Sequence, residues 1–179
     1  PLIAAKPVKI TPDMLLSMAS KEQRIRKILF RIVTANAARC TKLAPQSGLL
    51  VRVSYGSFAP AMRAAQIAAF QTGQYPKAGL ILPGSPAERA GLRDGDDILA
   101  INGESIASNL SEIADMKGWM KEVNTLSAAW DAATIQPPTM LTIRRDGREQ
   151  SLALSAVMGC DMVAHLHASP QINAATKTN

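Results

Sequence analysis

Aromatic residues are scarce in this sequence: Phe, Trp and Tyr make up 4% of its 179 residues. Single-stranded nucleic acids stack on aromatic side chains, so this scarcity argues against such a ligand, and we expect no nucleic-acid partner. No apolar run approaches the roughly 20 residues that a membrane-spanning helix needs. No secretory signal peptide is visible, and because both ends look like cuts in a longer protein, we expect that any leader has been removed.

Catalytic and metal-binding motifs are also missing. The sequence has no HExxH, no G-x-S-x-G and no glycine-rich phosphate loop. Its two cysteines are too few and too far apart for a zinc site. His165 and His167 lie two residues apart in a strand-like run, without a third ligand at a fitting spacing. We therefore expect that this chain is not an enzyme by itself and holds neither a metal nor a cofactor.

What the sequence does have is a large apolar fraction and a basic balance. Hydrophobic residues make up 47% of the chain, which argues against wholesale disorder, and the net charge is +6. The main basic cluster consists of Lys21, Arg24, Arg26, Lys27 and Arg31. We expect this cluster to form a solvated basic surface, and the alternative is contact with an anionic membrane.

The amino-terminal region is predicted to be helical. Thr11 and Pro12 form a typical helix start, and Ser20 with Gln23 resembles a second start of the capping-box type. The second helix should run to about Arg39. Its apolar stripe, which we expect to pack on the rest of the molecule, consists of Ile25, Ile28, Leu29, Ile32 and Val33.

The remainder of the chain mixes strands, turns and helices. Alternating β-branched residues predict a strand over Gly48–Ser54, and an alanine-rich stretch predicts a helix over Pro60–Phe70. The further predicted elements are a strand over Leu80–Leu82, a helical turn over Pro86–Ala90, a strand over Asp97–Ile101, a helix over Asn109–Asn124, a connector over Leu126–Pro138, with a partly helical connector as the alternative, and a hairpin that turns at Asp146-Gly147.

The stretch GSPAERAGLRDGDDILAINGESI resembles the signature of a bacterial PDZ domain, and the resemblance covers about Leu80–Val157. It implies an α+β fold: a PDZ-like small β-sandwich or partly open barrel capped by helices, with an added N-terminal helical segment. We expect an extended leader and helices in residues 1–47. Residues 48–157 should form the PDZ-like domain with a helical insertion at about 58–72. Residues 158–179 should form a tail that leads toward a C-terminal domain absent from this chain.

The same resemblance implies a peptide-binding groove between one strand and the long helix, where a peptide or a protein C-terminus adds as an extra strand. The candidate groove residues are Gly48, Leu49, Leu50, Ile113, Met116, Trp119 and Met120. The segment 47–50 departs from the Gly-Leu-Gly-like loop that holds a terminal carboxylate in such domains, and the helix over 60–70 is an unusual insertion. An internal segment that fills the groove is therefore an alternative to a guest peptide.

The flanking segments resemble a second family. The motif TANAARC and the tail, with Cys160, MVAHLHA and Asn173-Ala174, are similar to zinc metallopeptidases of the HExxH type from the bacterial envelope. This resemblance implies a periplasmic or envelope-located peptide-binding region that positions substrate for, or regulates, its own C-terminal catalytic domain. The alternative is a non-enzymatic scaffold module of a secretion or envelope complex. In an exported protein we expect Cys40 and Cys160 to form a disulfide, whereas in the cytosol they would stay reduced.

Overall fold

The computed structural model describes residues 10–162, except for residues 56, 58, 109–114 and 136–137. The described residues form an α+β fold, as the sequence predicted. The helices are α1 (Pro12–Ala35), α2 (Pro60–Phe70), α3 (Pro86–Arg89) and α4 (Met116–Ile135), and a short 3₁₀ turn covers Ala37–Arg39. The strands are β1 (Leu43–Gln46), β2 (Leu49–Arg52), β3 (Lys77–Ile81), β4 (Asp97–Ile101), β5 (Glu104–Ser105), β6 (Thr139–Arg145), β7 (Arg148–Leu154) and β8 (Val157–Cys160).

Most strands belong to one open antiparallel sheet. Its order is β2-β3-β4-β6-β7, and the short β5 pairs with β4 beside this path. The register places Ile98 of β4 opposite Ile143 of β6. A second, two-stranded antiparallel sheet joins β1 to β8. Within the described residues, β2 and β7 are therefore the two edges of the main sheet.

The core is aliphatic and lies between the main sheet, α3 and α4. Its buried members are Ala87, Leu92, Ile98, Ile101, Ala133, Leu141, Ile143 and Leu154. Ala129 and Trp130 of α4 pack against this cluster from outside. Burial of each large aliphatic side chain contributes about 1.5–3 kcal/mol, so this cluster fixes α4 against the sheet. Ile98 and Ile143, which lie opposite each other in the sheet, are fully buried at its centre.

Local hydrogen bonds explain the signature stretch. The Ser85 hydroxyl accepts from the Glu88 N–H at 3.2 Å, and the Glu88 carboxylate accepts from the Gly84 N–H at 2.7 Å. Together the two bonds close a reciprocal cap on α3. The predicted hairpin is also present: Asp146 and Gly147, both at positive φ, connect β6 to β7.

The amino-terminal helix differs from the prediction. It is one continuous helix from Pro12 to Ala35, and its start is capped by the Thr11 hydroxyl, which accepts from the Met14 N–H. Ser20 lies inside this helix, so the second helix start was wrong. The predicted apolar stripe packs on the rest of the described molecule only in part, through Val33 and the half-buried Leu29. Ile28 is 60% exposed and Ile32 is 49% exposed, whereas Val33 is buried.

The long helix α4 also lies further along the chain than predicted. It begins at Met116, where the Asp115 carboxylate accepts from the Gly118 N–H at 2.8 Å, and it continues to Ile135. The prediction of a helix ending near residue 124, followed by a connector, was therefore wrong at its carboxyl end. Its predicted start at residue 109 lies outside the described residues. Near the end of α4, the buried Thr139 hydroxyl donates to the Ala133 carbonyl at 2.8 Å.

The segments that flank the main sheet are joined to each other. Cys40, just before β1, forms a disulfide with Cys160, the last residue of β8, and their Cα atoms lie 5.4 Å apart. The buried Val33 of α1 adjoins Gly159, where a Cβ would lie 3.3 Å from the Val33 carbonyl. The disulfide and the β1–β8 sheet thus connect the amino-terminal helix to the end of the described chain. None of the helices in the described ranges combines the length and apolarity that crossing a bilayer requires.

Candidate functional site

The outer edge of β2 is the first component of the candidate site. Strand β2 pairs with β3 on one side, with Leu50 opposite Leu80, and the Gly48 carbonyl accepts from the Leu82 N–H at 2.9 Å. Because antiparallel strands alternate their bonding direction, the backbone of Leu49, between these two positions, points away from β3. Its N–H donates to the Ser47 hydroxyl at 3.2 Å. No described strand pairs with this outer edge.

The loop before β2 is held firmly by α3. Gly48 has a φ of +72°, and a Cβ at this position would lie 2.7 Å from the Ser85 Oγ. Only glycine therefore fits here without a rearrangement. The Ser47 carbonyl accepts from the Ala87 N–H at 3.0 Å. The start of the edge strand is thus fixed by the same turn that carries the signature sequence.

Helix α4 forms the opposite wall of the site. Leu49 and Val51 are two residues apart and therefore point to the same face of β2. Together with Leu126, Ser127 and Trp130 of α4 they line a cleft of about 250 Å³. Of these five residues, Ser127 alone has a polar side chain, so the cleft is mainly apolar. It lies between an edge strand and a helix.

The cleft continues past the start of β2. Trp130, Gly48 and Leu49 also line a second cavity of about 240 Å³, to which α1 contributes Arg26 and Phe30. The amino-terminal helix therefore forms a wall at the loop end of the cleft. The guanidinium of Arg26 places a positive charge there, although its Nε donates to the Glu22 carboxylate at 2.8 Å.

The other end of the cleft is marked by Tyr55 and Trp119. The indole Nε1 of Trp119 donates to the Tyr55 carbonyl at 2.7 Å, so the start of α4 lies near the end of β2. Since Trp130 meets the start of β2, α4 runs antiparallel to the strand. Burial, assisted by the negative charge of Glu122, raises the pKa of the Tyr55 phenol to about 12. This phenol therefore stays neutral at physiological pH.

The predicted groove residues occupy several places. Leu49 lines the cleft, whereas Gly48 and Leu50 line only the cavity at its loop end. Met116 and Met120 of α4 are about half exposed and do not line the cleft. Trp119 contacts the backbone of the chain after β2, and Ile113 lies outside the described residues. A role of these four helix-side residues in binding stays a prediction.

Sequence reasoning missed the residues of α4 that do line the cleft. Leu126, Ala129, Trp130 and Ala133 follow the i, i+3, i+4, i+7 spacing of an amphipathic helix, a signal that the sequence contained. Ala133 is buried, while Leu126 and Trp130 are half-buried at the cleft. The helix therefore uses one apolar stripe both to join the core and to line the site.

The opposite face of β2 is tied to the helices. The Arg52 guanidinium donates to the Glu22 carboxylate at 2.7 Å and lies 4.5 Å from the centre of the Phe70 ring. Burial raises the pKa of the Glu22 carboxyl, but hydrogen bonds from Arg26 and Arg52 lower it below its ordinary value. These contacts connect α1, β2 and α2 behind the cleft, so the edge strand is supported from its back.

A charged cluster at the far side of the sheet has a structural explanation. The buried Asp96 carboxylate accepts two hydrogen bonds from Arg145, at 2.6 and 2.7 Å. Asp97 pairs with Lys77 at 2.7 Å and with Arg144 at 2.9 Å. Burial raises the pKa of Asp97, but these two cations lower it below its ordinary value. All these carboxylates are paired, and none is poised as a free acid or base.

The described residues offer no metal site: within them, no three His, Cys, Asp or Glu side chains come together in a way that could hold an ion. His165 and His167 lie outside the described residues. The cleft itself offers mainly apolar side chains beside the outer backbone edge of β2.

Comparison with known proteins agrees with this geometry. Residues 79–116 match the family model described as a PDZ domain. The chain is 37% identical over 75 residues to a probable periplasmic serine endoprotease, DegP-like, from Marinomonas sp. (strain MWYL1). That match covers 42% of this chain and 13% of the Marinomonas protein, so the chain spans a small part of that relative.

Solved structures similar to this chain have low sequence identity to it. One is the HtrA3 PDZ domain bound to a phage-derived ligand, with 16% identity, a TM-score of 0.42 and coverage of 65% of this chain and 88% of that one. Another is an HtrA-type protease, AlgW, with a decapeptide, with 15% identity, a TM-score of 0.39 and coverage of 70% and 32%.

These comparisons also bear on the predicted parent protein. The curated relative is described as a probable serine endoprotease, so it does not support the zinc metallopeptidase parent that the flanking segments suggested. The signature stretch, its match to the family model and the arrangement of edge strand and helix agree with one another. The comparisons therefore support a PDZ domain around residues 79–116, with a DegP-like relative.

Proposed function

We propose that this chain is the peptide-binding PDZ region of a bacterial envelope protease, where it positions an extended substrate or regulates a catalytic domain. The observation that carries the proposal is the outer edge of β2, which faces α4 across a mainly apolar cleft. An extended peptide that adds to this edge gains backbone hydrogen bonds along its length. Its alternate side chains point into the cleft, where apolar residues fit best.

The other edge strand of the sheet, β7, is less suited to pair with a peptide than β2 is. Strand β7 begins Arg148-Glu149-Gln150-Ser151, and all four residues are exposed. Charged and polar residues on an edge strand discourage the addition of another strand. Strand β2 instead begins with Leu49, Leu50 and Val51. The chain therefore protects one edge and leaves an aliphatic one beside the cleft.

The loop end of the cleft suits either an internal segment or a free C-terminus. The Leu49 N–H, which a terminal carboxylate would use, donates to the Ser47 hydroxyl, and a hydroxyl can rotate to bind the carboxylate instead. Arg26 places a positive charge at the same end. We propose an apolar, extended ligand and leave the position of its terminus to the experiment below.

The location and the parent protein are part of the same proposal. A disulfide between Cys40 and Cys160 is stable in an oxidising compartment such as the periplasm. The curated relative is described as periplasmic and as a serine endoprotease. We therefore propose an envelope protease related to the DegP group as the parent, with the PDZ region as its non-catalytic part.

Peptide display tests the proposal directly. Libraries with free C-termini and libraries with both ends blocked are selected on the full chain, and the best peptide is measured by fluorescence anisotropy. Leu126→Asp places a charge in the cleft, and we expect roughly 30-fold weaker binding from about 2 kcal/mol of lost burial. The matched control Met120→Asp lies on the same helix outside the cleft and should bind as the unmodified chain does.

Two outcomes would contradict the proposal. If neither library yields a binder, the chain does not recognise peptides at this edge. If Met120→Asp abolishes binding and Leu126→Asp does not, the groove lies where the sequence first suggested rather than at the described cleft. Circular dichroism of both variants establishes that each is folded.

A further inference from the structure

Helix α1 has an apolar surface that the rest of the described molecule does not cover. Its inner face packs through Val33, which is buried, and Leu29 lines the cavities beneath it. One side of the helix is different. Its exposed apolar residues recur at helical spacing and form a stripe of Met14, Met18, Ile25, Ile28 and Ile32. Met18 and Ile25, on the margin of the stripe toward Leu29, also line a cavity of about 620 Å³ that α1 forms with β2 and α2, so Met14, Ile28 and Ile32 are the outermost members. Ile28 and Met18 are each more than half exposed.

A row of cations runs beside this stripe. Its members, all exposed, are Lys21, Arg24, Lys27 and Arg31. Within the described part of the chain, none of the four forms an ion pair with a carboxylate. The acidic residue that could neutralise them, Glu22, is turned the other way, toward Arg26 and Arg52. The basic row is therefore available to an external anion.

We propose that this outer face of α1, the apolar stripe with the adjacent basic row, docks on an anionic lipid surface. A helix with an apolar stripe beside cationic residues lies in the headgroup region, with its apolar side chains below and its cations at the lipid phosphates. Lys21 lies between the two halves of the stripe, and its aliphatic stem can cover apolar surface while the ammonium reaches the phosphates.

Charge complementarity favours lipid over the other occupants. A second copy of this chain would bring two basic rows close together, and like charges at short range repel. The cleft that we assign to peptides is formed by β2 and α4, so the stripe on α1 is a separate surface. An anionic membrane can bind both parts of this face, because its negative headgroups attract the basic row and its apolar interior accepts the apolar stripe.

Vesicle flotation tests the proposal with the full chain. We expect no binding to vesicles of phosphatidylcholine, and binding to vesicles that also contain phosphatidylglycerol, weakening as salt is raised. Arg24→Glu changes the charge by two units, each worth about 1 kcal/mol near the surface, so it should reduce the partition coefficient roughly 30-fold. The control Arg148→Glu changes the net charge equally at the far edge of the sheet and should have less than about a threefold effect.

The apolar half is tested by a second matched pair. Ile28→Ser should weaken binding about tenfold, whereas Met140→Ser, at another exposed apolar residue on β6, should not. Equal effects of Arg24→Glu and Arg148→Glu, or no binding to the anionic vesicles, would overturn the proposal. So would an α1-dependent dimer in sedimentation equilibrium, which would make a second copy the occupant. Anisotropy with the selected peptide should be unchanged in all four variants, which separates this test from that of the cleft.

Discussion

Removing the disulfide tests how the flanking segments stabilise the domain. Cys40 and Cys160 are 120 residues apart in sequence. A crosslink over a loop of this length lowers the entropy of the unfolded chain by an amount worth about 5 kcal/mol at 25 °C. Cys40→Ala and the double variant with Cys160→Ala each break the bond. We expect both to lower the free energy of unfolding by up to about 5 kcal/mol, a large part of the stability of a typical domain.

Urea denaturation followed by circular dichroism measures this effect, and mass spectrometry first establishes that the unmodified protein carries the bond. The single and double variants should agree within about 1 kcal/mol, because either change removes the same crosslink. The selected peptide should still bind, since the cleft residues belong to the main sheet and α4. Variants within about 1 kcal/mol of the oxidised protein would refute the argument that the crosslink supports this fold.

Three further predictions concern the loop, the cleft end and the charged cluster. Gly48→Ala should lower the free energy of unfolding by about 2 kcal/mol or more, because its methyl group would meet Ser85. Gly84→Ala has open space around its methyl group, so in the same denaturation assay it should lower the free energy of unfolding only through the strain of its positive φ. Because the pKa of Tyr55 is raised in the folded state, its contribution to the free energy of unfolding should be constant below about pH 10 and should fall as pH rises toward 12. Tyr55→Phe should remove this decrease in pH-dependent melts. Arg145→Met should cost about 3 kcal/mol by leaving Asp96 buried and unpaired, and adding Asp96→Asn should recover part of the loss in urea unfolding.

The parts of the fold that the sequence predicted are those decided by near neighbours. The cap of Ser85 on α3 and the turn at Asp146-Gly147 each depend on a few adjacent residues, so their patterns could be read without knowledge of the rest. Strand β4 was predicted at its exact limits, Asp97–Ile101, because glycine-containing turns flank it on both sides.

The parts that could not be predicted depend on distant contacts. The spacing of Ile25, Ile28 and Ile32 shows an amphipathic helix but not which surface covers its apolar side. In the structure Ile25 lines a cavity beside β2 and α2, whereas Ile28 and Ile32 are exposed. The position of the candidate site also depends on distant contacts. The spacing of Leu126 and Trp130 indicates a helix, but only its contact with the sheet shows that this stripe faces β2 and lines the cleft.

The measurement that tests the central claim most directly is amide hydrogen exchange of the two edge strands, with and without the selected peptide. If a guest strand adds beside α4, the outward-facing amides of β2, that of Leu49 among them, should exchange at least tenfold more slowly in the complex. The amides of β7 should not change. Protection of β7 instead, or of neither edge despite binding, would contradict the account.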